Sequence, residues 1–228
     1  MTESAQHSKA RIYLAGKRVV TAGDGHCVYQ TFSDSSFSAI GRGPFSGIRM
    51  LNDEVLKAGV SVTHQSAESS LVLMLPLVGK IKFRVDTDEF RFLEADSSQL
   101  MHIGKGSALE ISNSYRQESI NYLLIWFAAE PVSFEQFAMF DVHKKQNTPI
   151  QIFNDSKAAG YIGQFSGRAG FQFSVREPAR AVLAFVIEGA FEIEDRLLES
   201  RDALTLREVS SVEFEALSNN AIILLIEL

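Results

Sequence analysis

The sequence is poor in cysteine, in histidine and in long apolar runs. Among its 228 residues there are one cysteine, Cys27, and five histidines. A single thiol excludes an intrachain disulfide and favours a reducing compartment. The polar residues 1–10 lack the apolar core of a secretory signal, and the most apolar runs, Leu71–Val78 and Ala221–Ile226, are too short to span a bilayer. We therefore expect a soluble cytoplasmic protein with no membrane partner.

Concentrated positive charge is also missing. The formal net charge is -6, the basic residues are scattered, and one tryptophan beside 17 phenylalanines suggests core filling rather than a stacking platform. A protein that binds a phosphate backbone needs a concentrated positive surface, because the release of counterions drives its affinity. We therefore predict no nucleic-acid partner.

What the sequence does contain is a series of short alternating or apolar stretches. Gly79–Val85 and Ala190–Glu194 alternate with period two, which is the pattern of a half-buried strand. The best helical candidate, Phe134–Val142, is short. The other predicted strands are Val60–Thr63, Ser70–Leu75, Ile120–Phe127, Gly160–Phe165, Phe171–Val175, Val182–Ile187 and Ile222–Ile226. The fold is therefore predicted to be all-β.

The two halves of the chain repeat one order of features. Gly79 precedes an alternating strand and Asp96 follows the next one, and Gly189 and Asp202 occur in the same order in the second half. Glycine suits a tight turn between antiparallel strands, and aspartate can bond the backbone of the turn that follows. The offset of roughly 100 to 110 residues is the size of one small all-β domain. We predict an N-terminal segment 1–30, a barrel over 31–130, a connector 131–149 and a second barrel over 150–228.

Several stretches resemble the pirin-like bicupins. Arg42–Asp53 is similar to the segment that runs to a Leu-Asn-Asp turn before the first barrel of that family, and Thr31–Ser33, Ile125–Trp126 and Phe134–Gln136 fit the same pattern. Gly160–Leu228 is similar to the second barrel. The resemblance covers nearly the whole chain after about residue 30, and it implies two cupin-type (jelly-roll) β-barrels in one chain.

The resemblance also implies a metal site in the N-terminal barrel, held by three histidines and a glutamate. Some members of the family are quercetin dioxygenases, and others are regulatory partners of the transcription machinery. The family supplies its first two ligands as His-x-His on one strand, because alternate residues share a face. Here His64 stands at the first of these positions and Ser66 at the second, and a serine hydroxyl is a poor ligand compared with imidazole.

The other two family ligands form a His-x-Glu unit after a Gly-x-Gly turn. The corresponding turn here is Gly104–Gly106, and the two ligand positions hold Leu109 and Ile111. Glu110 is one residue out of step, which in a strand directs it to the opposite face, and His102 precedes the turn. One matching ligand position of four predicts that the chain has no metal site.

We interpret His64 as a barrel-lining or core histidine, hydrogen-bonded to a neighbouring hydroxyl such as that of Thr63 or Ser66, rather than as a ligand. His64, Ser66, His102 and Glu110 are the candidates for the wall of a pocket in the first barrel.

The pattern favours a non-catalytic small-molecule-binding or regulatory protein, with no catalytic residues and no cofactor. The alternative is a dioxygenase of the quercetin 2,3-dioxygenase type that uses Fe, Mn or Ni with an altered ligand set. A third hypothesis, a structural interaction domain, predicts a filled barrel, whereas a ligand-binding protein should have an open apolar pocket. The partner is an unidentified small molecule or protein, and the sequence leaves the oligomeric state open.

Overall fold

The computed structural model describes residues 10–33, 41–130, 134–177 and 180–228, and nearly all of its regular structure is β-strand. Within these residues the helical structure is one 3-10 turn, Ala15–Lys17, and no helix is long and apolar enough to cross a membrane. The chain divides into a first unit, Arg18–Asp141, and a second unit, Val142–Leu228 together with the described residues before Arg18. The predicted all-β, two-domain cupin fold is confirmed.

The first unit contains a seven-stranded and a four-stranded antiparallel sheet. Its strands are β2 (Val19–Gly23), β3 (His26–Phe32), β4 (Ile48–Leu56), β5 (Ser61–Gln65), β6 (Ser70–Val78), β7 (Lys80–Val85), β8 (Arg91–Glu94), β9 (Ser97–Ile103), β10 (Ala108–Ser112), β11 (Ile120–Ala128) and β12 (Glu135–Met139). The larger sheet has the order β12-β9-β6-β11-β4-β3-β2, and the smaller has the order β5-β10-β7-β8.

The core of the first unit lies between these two sheets. Phe83 on β7 and Leu109 on β10 come from the smaller sheet, and they share one buried cluster with Met74 on β6 and Leu124 on β11. Each of these side chains is at most 1% exposed, and burial of an apolar side chain of this size contributes about 1.5–3 kcal/mol. The apolar members of the period-two pattern therefore drive the pairing of the two sheets.

The second unit repeats this plan. Its strands are β1 (Ala10–Tyr13), β13 (Ile150–Asn154), β14 (Ala159–Phe165), β15 (Gly170–Ser174), β16 (Arg180–Glu188), β17 (Ala190–Ile193), β18 (Arg196–Glu199), β19 (Ala203–Val209), β20 (Ser211–Ala216) and β21 (Ala221–Glu227). The sheet orders are β1-β19-β16-β21-β14-β13 and β15-β20-β17-β18. The order β13-β14-β21-β16-β19 matches β3-β4-β11-β6-β9 of the first unit strand for strand, as a duplication predicts.

Two of the predicted segments, 1–30 and 131–149, need correction. The segment 1–30 is not separate from the barrels: β1 pairs with β19 of the second unit, while β2 and β3 belong to the first; residues 1–9 lie outside the described residues. The predicted connector 131–149 contains β12 and the boundary between the units, and its first three residues are also outside the described part.

The helix predicted over Phe134–Val142 is a strand instead. Glu135–Met139 pairs antiparallel with β9, from Glu135 opposite Met101 to Met139 opposite Ser97. Its exposure alternates with period two, and both Phe137 and Met139 are exposed. The physical reason is that β9 would otherwise present an unpaired row of backbone N–H and C=O groups at the sheet edge.

Gly79 and Gly189 occupy the turns that the repeat predicted. Their φ angles are 80° and 81°, in the region that residues with a Cβ avoid. A Cβ on Gly79 would lie 2.9 Å from Ile120 Cγ2, and a Cβ on Gly189 would lie 2.4 Å from Ser218 Oγ. Both turns therefore require glycine for its backbone freedom and for its lack of a side chain.

Replacement of Gly79 by alanine should destabilise the first unit by about 2 kcal/mol, because a positive φ and a close contact with Ile120 add together. Urea unfolding followed through the fluorescence of Trp126, the chain's single tryptophan, would measure this change in the first unit. Gly23→Ala is the matched control, because a Cβ there meets nothing within 4 Å, and it should change stability by less than about 0.5 kcal/mol. Equal effects of the two substitutions would contradict the assignment.

Candidate functional site

The polar centre of the first unit is the carboxylate of Glu54, which is fully buried on β4. Its Oε2 accepts hydrogen bonds from the ring of His26 (Nε2, 2.8 Å) and from the hydroxyl of Tyr122 (2.9 Å). Its Oε1 accepts one from Asn52 Nδ2 at 2.9 Å. His64 Nε2 lies 3.5 Å from Oε2, which is longer than a typical hydrogen bond. The carboxylate thus collects donors from β3, β4 and β11, with β5 close by.

These contacts keep Glu54 ionised. Burial acts to raise the pKa of the Glu54 carboxyl, but His26, His64 and Asn52 together outweigh it, so the pKa lies well below its usual range. Burial and the neighbouring Glu54 carboxylate raise the pKa of the Tyr122 phenol well above its ordinary value. Tyr122 is therefore a neutral donor beside a buried negative charge.

A pocket of about 660 Å³ opens beside this cluster. Its wall includes the apolar surfaces of Pro44, Met50 and Trp126, and its remaining lining is formed by Arg49, Thr63, His64, Gln65, Ser66, Ala67, Glu68 and Ser70. The rings of His64 and Trp126 have centroids 6.4 Å apart. The pocket therefore combines an apolar and aromatic surface with a larger number of polar and charged side chains.

Two nitrogen atoms of this wall are buried and make no hydrogen bond with any described residue. They are Nε1 of Trp126, a side chain that is 5% exposed, and Nε2 of His64, which lies 3.5 Å from Glu54 Oε2 and has that carboxylate as its ion-pair partner. The indole N–H is only a donor, so an acceptor atom is required to satisfy Trp126. Buried polar atoms are nearly always paired, and the unpaired indole N–H marks this wall as a place for a ligand.

The structure places His64 and Ser66, two of the four predicted pocket residues, in this wall. The hydroxyl predicted beside His64 is not its neighbour, because Ser66 Oγ donates to the carbonyl of Glu68 at 2.6 Å. The neighbour of His64 is the carboxylate of Glu54.

The other two candidates lie elsewhere, and the prediction for them is corrected. On β9, Met101 and Ile103 belong to the core cluster, so His102 between them is on the opposite face of the strand. On β10 the same alternation directs Glu110 away from the core, where it pairs with Arg84 at 2.7 Å.

Comparisons with known proteins agree with this architecture. Residues 143–228 match the family model of the quercetinase C-terminal cupin domain. The structure of YhhW from Escherichia coli superposes with a TM-score of 0.83 at 17% identity, covering 96% of this chain and 97% of that chain. Residues 143–228 are therefore similar to that cupin domain, and the chain shares its fold with YhhW.

Two further solved structures are similar to this chain. Bacterial pirin YhhW from Escherichia coli in complex with nickel(II) gives a TM-score of 0.82 at 18% identity, covering 96% of this chain and 98% of that one. A quercetin 2,3-dioxygenase from Acinetobacter baumannii gives 0.69 at 15% identity, with coverage of 95% and 85%. Identities this low establish the fold alone. A search among curated proteins gives no match.

At two of the positions where the resemblance implies metal ligands, this chain has aliphatic side chains. Leu109 and Ile111 are fully buried in the apolar core, and neither carries a donor atom. Leu109 pairs directly opposite His64 across β10 and β5, so the ladder brings an aliphatic side chain to the place where the resemblance calls for a ligand. Across the described ranges, no group of three or more His, Cys, Asp or Glu side chains could hold a metal ion.

Sequence reasoning missed Glu54, His26 and Trp126. The resemblance suggested a turn at Leu51–Asp53, but these residues lie inside β4. The available signal was a run of three polar residues, Asn52 to Glu54, within an otherwise apolar strand. All three are buried, which requires partners from other strands.

Replacement of Glu54 by glutamine should destabilise the first unit by about 3 kcal/mol at neutral pH, because His26 loses its anionic partner. The folded-state pKa of Glu54 lies below its unfolded value of roughly 4.3, so its contribution is fully present above that pH. It is lost as the pH falls toward the folded-state pKa. Urea unfolding at several pH values should therefore show that the difference in unfolding free energy between wild type and Glu54→Gln becomes smaller below about pH 4.

Glu110→Gln is the matched control, because Glu110 and its partner Arg84 are 26% and 35% exposed. Loss of this ion pair should lower the free energy of unfolding by less than about 1 kcal/mol. If Glu54→Gln loses no more unfolding free energy than Glu110→Gln, the Glu54 carboxylate is not the charged centre of this site. The same conclusion follows if the loss in Glu54→Gln grows as the pH falls.

Proposed function

We propose that this pirin-like protein is a non-catalytic small-molecule-binding protein, which holds its ligand in the pocket of the first unit and serves a regulatory or interaction role. The observation that carries the proposal is the buried indole N–H of Trp126, which lies in the pocket wall and has no hydrogen-bond partner among the described residues. An unsatisfied buried polar atom costs about 1–3 kcal/mol, and a ligand oxygen would recover part of that cost. The pocket volume also falls within the range of about 300–1,000 Å³ seen for small-molecule sites.

We propose that the protein has no resident metal. Ser66, Leu109 and Ile111 at the ligand positions implied by the resemblance support this proposal, because none of them is a carboxylate or an imidazole. The single cysteine favours a reducing compartment, and we propose that the protein acts in the cytoplasm.

A second candidate function is a metal-dependent dioxygenase of the quercetin 2,3-dioxygenase type with an altered ligand set. The convergence of His26, His64 and Glu54 favours it, because imidazoles and carboxylates bind redox metals. Against it, Glu54 Oε2 already accepts hydrogen bonds from both His26 and Tyr122.

Purified protein should contain no stoichiometric Fe, Mn, Ni or Zn after dialysis, and added Fe, Mn or Ni should not produce cleavage of quercetin. The reason is that oxygenation needs an ion fixed by several protein groups. Elemental analysis and an oxygen-uptake assay are the measurements. About one ion per chain, lost in His26→Gln and His64→Gln but kept in His102→Gln, would establish the second candidate instead.

Naphthol, an aromatic probe with one oxygen, should bind the pocket with a Kd below about 1 mM. The chain has a single tryptophan, so a ¹⁵N-labelled sample gives one indole N–H resonance, and this resonance should shift on titration. Thr63→Phe, in the pocket lining, should weaken binding at least about tenfold.

Thr21→Phe is the control, because Thr21 is an exposed residue of β2 that does not line the pocket. It should leave binding unchanged. The absence of a saturable shift, or equal behaviour of the two variants, would be evidence against a ligand site here.

A further inference from the structure

A β-bulge at Arg49 directs the guanidinium group of this residue toward the pocket. Across β4 and β11, Met50 pairs with Trp126 and Ile48 pairs with Phe127, so Arg49 is an extra residue with no partner in the register. A bulge of this kind redirects a side chain, and bulges recur next to functional sites. Because of it, Arg49 and Met50 both line the pocket, although consecutive strand residues normally face opposite sides.

The chain already places a carboxylate on this arginine. Glu68 Oε2 lies 2.6 Å from Arg49 Nη2, and both residues line the pocket. The side chain of Glu68 is 65% exposed, while that of Arg49 is 27% exposed. An exposed ion pair of this type contributes at most about 1 kcal/mol, so a second carboxylate can replace Glu68 at low cost. The Glu68 carboxylate therefore stands in for the group that the guanidinium recognises.

The indole N–H of Trp126, in the same wall, also requires an acceptor. Trp126 Nε1–H is buried and requires an acceptor, and Met50, on the facing strand, continues the apolar wall beside it. The Glu54 carboxylate accepts from His26, Tyr122 and Asn52 and not from the indole N–H. A ligand that has hydrogen-bond acceptors at one end and an apolar body would match these groups.

We propose that the pocket selects small carboxylates with an apolar, aromatic body: the carboxylate takes the place of Glu68 on Arg49 and accepts from Trp126, while the ring lies against Met50 and Trp126. This assignment rests on the proposed function, since it names the ligand class of the same pocket. Guanidinium binds carboxylate through a planar fork of donors, which a neutral amide cannot match.

Naphthoate and naphthamide, taken as the same positional isomer, provide the test, because they differ in charge but hardly in shape. Naphthoate should bind at least about tenfold more tightly by calorimetry and should move the indole N–H resonance. If neither naphthoate, naphthamide nor naphthol binds, the proposed function fails. If naphthamide binds as tightly as naphthoate or more tightly, the carboxylate assignment is overturned while the binding function stands.

Two variants test the role of Arg49 with opposite signs. Arg49→Gln should weaken naphthoate about tenfold and leave naphthamide unchanged, whereas Glu68→Gln should strengthen naphthoate severalfold, because the competing carboxylate is gone. Arg84→Gln, which breaks an ion pair outside the pocket, should change neither affinity. A loss of naphthoate affinity in Glu68→Gln would show that the ion pair is only a structural part of the rim, and it would overturn the assignment.

Discussion

A buried carboxylate must be surrounded by donors, and in the first unit this requirement connects both sheets. Glu54 on β4 accepts from His26 on β3 and from Tyr122 on β11, all within the seven-stranded sheet. His64 approaches the same oxygen from β5, which belongs to the four-stranded sheet. Removal of one partner from a buried charge costs several kcal/mol, so polar geometry, rather than apolar packing alone, fixes how the two sheets meet at this end.

The second unit shows that the fold does not need such a cluster. It has the same strand order around a core of aliphatic and aromatic side chains, in which Phe165 and Phe214 lie with ring centroids 5.1 Å apart. Residues 150–228 contain no histidine. The second unit also buries one carboxylate, Glu227, but Arg176 and Arg180 balance its charge. Glu54 has hydrogen-bond donors instead, and it lies next to a pocket.

Local patterns predicted strands with a clear apolar run or alternation, and they missed features that only distant partners reveal. Alternation identified β7 and β17, because each buries one face of its own side chains. It could not identify β1, which pairs Ala10 with Leu206. It also missed β12, because the apolar residues Phe137 and Met139 are exposed and therefore do not mark a buried face of the strand. Both of these strands cover a sheet edge, and that requirement cannot be seen within the segment itself.

The site was missed for the same physical reason. His26 and Tyr122 are 28 and 68 residues from Glu54 in the chain, and only the pairing of β3 and β11 with β4 brings them together. Only the positions implied by the family resemblance could be considered as metal ligands. They identified His64 and Ser66, but they gave no information on the groups that lie there in place of the ligands.

The position of Trp126 connects the polar cluster with the proposed ligand class. Trp126 lies on the same face of β11 as Leu124 and Tyr122, so one strand carries the donor to Glu54 at one end and the unpaired indole N–H at the other. Next to it, the β4 bulge turns Arg49 into the same pocket. The buried negative charge thus has its donors inside the barrel, while the indole N–H of Trp126 in the pocket wall has no partner among the described residues. A scaffold arranged in this way holds its own anion in place and leaves this N–H for an acceptor that enters the pocket.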